Sequence, residues 1–588
     1  MKFLFVSYNM GIWVHTFPEA LIADSLRKEG HEVKFLHCDR VFNQHCTTMS
    51  AYGENEKSSQ AQKEFVCSEC IKNKTIVRKY FKFDTYENSS FLSDSDIREA
   101  DRLLSEVTLD NFESFSYKGI SIGKSSLYEP LIRYKKRSMN FSNEEFVFYK
   151  IYLRNALLSL ISFIKVFDLE KPDSVVMYSS EYATNFGPFS YVQSKGINVY
   201  SMFAGMNLAH RLQSMVILKG SYWDMKKTIR KRWSELKETP VVKKNIRRVT
   251  DHYKTLFGSN SVWAYSSVKT SDFDIRDFFK IKPERKIIGI TMSTYDEIFG
   301  SYGSGLQPRE MTFSKLFYDQ VDWVKHLTAF AKTRQDLHFI FRVHPRDFPN
   351  KREQGISEQA LQLLELFKEM PENCSVNWPD QNISLYDLAE EVDLFLNGHS
   401  STGVEMTFLG FPVVLYDPNI VHYPPDLNYH DPEITFDGYF RKIDEALAGG
   451  WSFENTRKAY RWLNLWQNRL AVDISDAVPF NDSGKPRLTL KNKLVKALVK
   501  YKYPAKERQL QSFFLPSKLK ASGEIKNLFE NNLENFSFLK DANVSSVQDE
   551  TENIKDSLRD LYRIFYKKEI PIKANTLRDR LSRMLEIK

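Results

Sequence analysis

Short apolar runs alternate with helix-period stretches along this chain, and the alternation is written out twice. In the first round, residues 3–7 read as a buried strand, 8–14 as a loop, and 17–28 as a helix with Gly30 as its C′ residue. Strands at 32–36, 174–178 and 197–202 follow, with a long apolar-periodic helix at 146–166 and a loop and helix over 181–194. After a charged helical approach over 228–257, the pattern restarts with strands at 285–291, 337–342, 375–378, 393–396 and 412–416. Helices at 313–332, 357–370, 384–391 and 403–409 separate them. Strands and helices alternating at this spacing build doubly wound parallel sheets. The expected fold class is α/β: two Rossmann-like domains, joined near residues 258–284 and facing a cleft, plus a helical basic C-terminal extension. The expected boundaries are 1–280 with a cysteine-containing insertion at about 38–117, 281–450, a crossover helix over 451–480, and the extension over 481–588.

Composition narrows the class of molecule. A chain of 588 residues with 42% hydrophobic and 27% charged residues has the make-up of a globular protein with more than one core. No run of about 18 apolar residues predicts a transmembrane helix. The start, Met1-Lys2-Phe3-Leu4-Phe5-Val6, is too short an apolar stretch for a signal peptide, so a cytoplasmic protein is expected. Five cysteines in a chain this long do not make a disulfide scaffold. The net charge of +8 is concentrated: residues 485–520 carry eleven Lys or Arg against one acid, Glu507. The remainder is near neutral, which argues against a nucleic-acid partner.

Two polar motifs follow strands of the second round. Arg342-Val343-His344-Pro345-Arg346 comes directly after 337–341, and His399-Ser400-Ser401-Thr402-Gly403-Val404-Glu405 comes after 392–396. Both stand at the carboxyl ends of strands, where open α/β sheets bind ligands. Pro345 restricts His344 to extended backbone, so its imidazole projects from the strand end toward an anionic oxygen, with Arg342 and Arg346 beside it. The other reading makes these arginines ion-pair partners and His344 a loop residue. Ser400, Ser401 and Thr402 precede a helix start, where hydroxyls and amides suit a phosphate. Capping alone accounts for one of the three hydroxyls. Glu405 fits either the helix dipole or a ribose.

With Asn382-Ile383-Ser384-Leu385-Tyr386-Asp387-Leu388 upstream and Gly410-Phe411-Pro412-Val413-Val414 downstream, residues 287–417 resemble bacterial capsule-polysaccharide glycosyltransferases. That group has the GT-B fold, includes Kdo transferases and polysialyltransferases, and carries "HP" and "SS" motifs. The first domain resembles it only in architecture. The resemblance implies a nucleotide-sugar donor, CMP-linked, held by His344, Ser400 and Ser401, and a glycan or lipid-linked glycan acceptor on the first domain. No metal or other cofactor is expected for catalysis, because side chains and a helix terminus neutralise the phosphate. Polyol-phosphate polymerases share similar motifs and use CDP-linked donors, and a non-catalytic assembly protein of the same machinery is a further alternative. The acidic-acidic-glycine triplet that supplies the base in polysialyltransferases does not occur in this chain.

A base must then come from elsewhere. Glu181 and His15, each just past a first-round strand, are the chosen candidates, with Glu19 and the pair Asp296-Glu297 also in position and Asn185 just beyond Glu181. Cys38, Cys46, Cys67 and Cys70 form a cluster with one C-x2-C spacing, suited to a structural zinc ion that braces the insertion, with free thiols or redox chemistry as the other readings. Residues 488–502 read as an amphipathic helix with Leu490, Leu494 and Leu498 opposite Lys493, Lys496 and Lys500. Such a helix suits peripheral attachment, through segment 485–520, to the inner face of the plasma membrane, or else a solvated helix packed on the protein body.

Overall fold

The computed structural model describes residues 1–258, 269, 273–350, 355–478, 504–513, 515–531, 545–566 and 571–587. The expected helix at 488–502 and much of segment 485–520 lie outside the described residues, as do parts of the junction at 258–284.

The first sheet contains β1 (Lys2–Ser7), β2 (Glu32–His37), β3 (Asp84–Glu87), β4 (Ser174–Tyr178), β5 (Asn198–Ala204) and β6 (Ser214–Lys219). β1 is buried from Phe3 through Ser7 and β4 throughout, because helices cover both faces of a parallel sheet. The spatial order β3-β2-β1-β4-β5 is parallel throughout, and β6 adds antiparallel to β5. The second sheet comprises β7 (Lys286–Thr291), β8 (Leu337–Arg342), β9 (Cys374–Asn377), β10 (Leu394–Asn397) and β11 (Val413–Leu415). Its order, β11-β10-β7-β8-β9, repeats the same winding, and every pair is parallel. Two doubly wound Rossmann-like domains, each with its switch point beside its first strand, make the GT-B arrangement.

Several elements differ from expectation. Residues 38–117, for which no regular elements are expected from sequence, contain several. They hold the helices Gln60–Phe81 and Asp94–Ser105 and the edge strand β3. Their polarity is that of surface helices: in Gln60–Phe81 the apolar contribution inward comes from Val66, Ile76, Val77 and Phe81. The long apolar helix spans Asn143–Glu170, longer than expected because a Ser142–Glu145 capping box starts it. It is long and apolar enough to cross a membrane, yet most of it is buried inside the protein against the helix Ala183–Ser194.

The chain then returns. The helix Phe453–Leu463 runs through a wide π turn, Asn464–Arg469, into β12 (Ala471–Asp473), which pairs antiparallel with β6 of the first sheet. The C-terminal helices divide between the two bodies. Residues Ser522–Glu530 pack on the first domain, with Phe529 against Phe3 and Tyr200 at ring-centroid separations of 5.3 and 4.6 Å. The helix Val547–Phe565 packs on Lys243–Gly258, and Phe565 meets Phe257 and Tyr386. The helix Leu577–Leu585 closes on the second domain, Leu577 donating its amide to the Glu390 carbonyl at 2.8 Å.

Candidate functional site

The carboxyl ends of both sheets open onto one interdomain cleft. Its larger chamber, about 780 Å³, lies between His15, Tyr178 and Glu181 of the first domain and His344, Arg346 and Ser401 of the second. A second chamber of about 400 Å³ continues past Ser400 and Ser401 between aromatic walls that include Tyr253, Trp462 and Trp466.

On the first-domain side, β4 ends in a strained turn. Ser179 adopts φ +59°, a left-handed conformation that costs a non-glycine residue free energy. Asn185 holds the turn by donating to the carbonyls of Tyr178 and Ser179 at 2.9 and 2.8 Å. The Ser179 hydroxyl donates to the Glu181 carboxylate, and the other carboxylate oxygen is buried without a hydrogen-bond partner. Burial raises the Glu181 carboxyl above the ordinary range, and the Ser179 bond only partly opposes it. His15, in the first turn of the helix Trp13–Lys28, stacks on Tyr178 with ring centroids 3.8 Å apart. Burial and then Arg211 lower its pKa to about 4, so the ring is neutral at physiological pH. Glu19 lies one turn further along this helix with its carboxyl bonded to Ser7.

On the second-domain side, His344 stands as the cap residue of the turn Pro345–Asp347, with φ −71° and ψ 131°. Its Nδ1 accepts from the Arg346 amide at 3.2 Å, which places the ring proton on Nε2 as a donor for an anionic oxygen. Burial, followed by Arg346 and Arg342, lowers its pKa to about 3. His399 donates from Nε2 to the Thr294 carbonyl at 2.9 Å, leaving Nδ1 as an acceptor. Asn397 shapes the serine loop: it donates to the Ser400 carbonyl at 3.0 Å and accepts from Thr402 at 3.0 Å. The Thr402 hydroxyl is therefore committed within the protein, whereas Ser401 is exposed to the cleft and Ser400 half-buried. Glu405 accepts from the Tyr386 hydroxyl at 2.9 Å and from Ser401 at 3.4 Å, and burial raises its carboxyl.

Two arginines are placed differently from the expectation. Arg342 donates to Asn377 and to the Ile383 carbonyl and ties β8 to β9 and to the turn beyond it. It stands behind His344 and does not line either chamber. Arg346 lines the cleft but is paired with Asp296 at 3.0 Å and with Glu297, so much of its charge is already balanced. Those acids, candidates for the base from sequence, are thereby ion-pair partners. His399, His422 and Arg211 also line the cleft and were not chosen from sequence. His399 adjoined the serine motif, but His422, in the loop after β11, carried no signal.

Gly403 is required by close approach. A Cβ there would collide with the Tyr423 hydroxyl and sit 2.7 Å from Asn397 Nδ2, the group that holds the Ser400 carbonyl. Gly403→Ala is expected to destabilise the fold by about 1–3 kcal/mol. Urea denaturation checks this, and a midpoint equal to wild type would contradict it.

The four cysteines border one small cavity of about 30 Å³. Cys67 and Cys70 lie inside the regular helix Gln60–Phe81 and not on a knuckle turn, and Cys46 precedes the helix Thr47–Ala51. Among the described residues no three His, Cys, Asp or Glu side chains are spaced to share a metal ion, so this arrangement does not fit the expected zinc set. Burial raises every one of these thiols, Cys46 to about 11 and Cys70 to about 12, as expected of protonated packing residues.

No family model and no curated protein matches this chain. Solved structures with detectable likeness include a UDP-GlcNAc 2-epimerase from Methanocaldococcus jannaschii, at 13% identity and TM-score 0.27 over 79% of this chain and 99% of that one. The UDP-GlcNAc 2-epimerase of Neisseria meningitidis is similar at 13% identity and TM-score 0.25, over 85% and 100%. The glycosyltransferase SnogD of Streptomyces nogalater is similar at 14% identity and TM-score 0.20, over 80% and 96%. The fold assignment above rests on strand order and register.

Proposed function

We propose that this protein is a nucleotide-sugar glycosyltransferase of surface-polysaccharide synthesis that takes a CMP-linked donor and extends a glycan. The observation that carries the reading is the meeting, in one cleft, of His344, Ser400 and Ser401 from one domain with Glu181 and His15 from the other. The donor phosphate sits against His344 Nε2–H and the serine hydroxyls, whose hydrogen bonds strengthen as charge builds on the departing nucleotide. The acceptor hydroxyl attacks the anomeric carbon, the bond from that carbon to the phosphate oxygen breaks, and Glu181 receives the acceptor proton. In this reading Glu405 also accepts from the ribose. A neutral His344 suits this site: it donates a hydrogen bond to phosphate without an ion-pair partner. In this reading the enzyme works in the cytoplasm at the membrane surface, held there by segment 485–520, close to a lipid-linked acceptor.

The test is thermal stabilisation by CMP, CDP, UDP and GDP, with His344→Ala alongside. CMP is expected to raise the melting temperature of the wild type and to have no effect on the variant. Stabilisation by UDP or GDP alone would overturn the donor assignment. No response to any of the four would overturn the nucleotide site.

A further inference from the structure

A short arm of the first domain reaches across to the phosphate loop of the second. The helix Tyr128–Arg133 packs on the helix Asp296–Gly303, close enough that a Cβ on Gly303 would sit 2.7 Å from Leu131. Beyond it the chain makes a tight turn with Lys135 at φ +49°. The turn aims the Lys135 ammonium into the second domain, where the side chain is buried in a residue only 2% exposed. There Nζ donates to three main-chain carbonyls: Arg346 at 2.5 Å, Phe348 at 3.2 Å and Gly355 at 2.7 Å. The first two of these carbonyls come just after His344-Pro345. The neighbours anchor the arm: Arg137 pairs with Asp319, and Lys136 with Glu358 at 2.8 Å.

We propose that Lys135 is a positioning residue: an ammonium from the acceptor-side domain that fixes the His344-Pro345-Arg346 loop and so sets the phosphate site relative to Glu181 across the cleft. A main-chain loop has several conformations of similar energy, and ordering it on ligand binding costs affinity. Charge-assisted bonds to three carbonyls, two of them just after His344-Pro345, remove that freedom beforehand. A hydrophobic side chain would fill the space and leave the carbonyls unsatisfied, whereas arginine retains donors and charge. The same ammonium adds positive potential at His344 and Asp347. The inference rests on the cleft being the nucleotide site, and the experiment separates the two.

Calorimetric titration with CMP is run on wild type, Lys135→Met, Lys135→Arg and His344→Ala, together with hydrogen exchange of residues 344–350 in the absence of nucleotide. Expected results are at least tenfold weaker CMP binding in Lys135→Met, recovery to within about threefold in Lys135→Arg, and faster exchange of 344–350 in Lys135→Met, with β7 exchange unchanged. Equal CMP affinity in Lys135→Met and wild type overturns the positioning role. If the wild type binds no CMP, the nucleotide reading fails by itself, and hydrogen exchange still decides whether Lys135 orders the loop. Unchanged exchange in Lys135→Met overturns the proposal in either case. Should Lys135→Met not fold, Lys135→Arg and Lys135→Gln carry the same comparison.

Discussion

Glu181→Gln is expected to lower transfer from a CMP-linked sugar by about 10²–10⁴-fold, the usual worth of a positioned proton acceptor. CMP binding should stay within about twofold of wild type, because Glu181 faces the nucleotide loop from the other domain. The amide keeps the size of the side chain and its bond with Ser179 but cannot take a proton. Ionised Glu181 is the working form, and burial raises its pKa. The rate should therefore fall, as pH is lowered, through a midpoint above the ordinary glutamate value of about 4.3. In Glu181→Gln that acid limb should vanish from the residual rate. His15→Ala should cost less, about tenfold, since a ring whose pKa is lowered to about 4 stays neutral through this range and contributes orientation. A Glu181→Gln enzyme with wild-type turnover and an unchanged pH profile would remove Glu181 from the reaction.

Glu550→Ala should be the most destabilising single change outside the cleft, at about 3–5 kcal/mol. Glu550 is 0% exposed and accepts from Arg461 Nε at 3.1 Å, from Arg461 Nη2 at 2.9 Å and from the Val241 amide at 2.8 Å. Its removal leaves a guanidinium with a side chain 6% exposed and a buried amide that has lost its acceptor. Glu238, which also pairs with Arg461 at 3.2 Å, is too exposed to compensate. The double variant Glu550→Leu/Arg461→Met should recover much of the loss, because two apolar groups need no partners. Guanidinium denaturation of the three proteins measures this; a Glu550→Ala midpoint equal to wild type would show that the pair carries no net stability.

The two sheets were legible because buried parallel strands read as apolar runs, and all nine strands expected from sequence are present. Three strands of the described residues escaped, β3, β6 and β12, and β6 did so although Ser214–Lys219 is a buried apolar run inside the sheet. β3 has no fully buried residue, and β12 spans three residues, so neither carries an apolar run. His344, Ser400 and Ser401 could be placed from sequence, since each directly follows a strand. The fate of Arg346 could not, because its partners Asp296 and Glu297 lie some fifty positions earlier and meet it only through the parallel pairing of β7 with β8. Arg342 lost its expected role for a related reason: β9, which supplies Asn377, had to be in place to claim it. His422 reaches the cleft through the loop beyond β11, and Lys135 reaches the carbonyls behind His344 through an arm with no periodicity.

The packing of Ser522–Glu530 on the first sheet has a consequence for how this protein is made. Ser25 and Ser522 face one another at 3.3 Å although 497 positions separate them, and Ile525, Leu528 and Phe529 belong to the core that contains Phe3 and Phe5. A nascent chain emerging from the ribosome has its opening strands long before the side chains that seal them. The first domain must wait, with apolar surface uncovered, while the whole second domain is translated. Contacts of such sequence separation slow folding and expose intermediates to aggregation. Production of this protein should therefore depend on chaperone supply and translation rate, and chains truncated before Ser522 should yield an aggregating first domain instead of a soluble half-molecule.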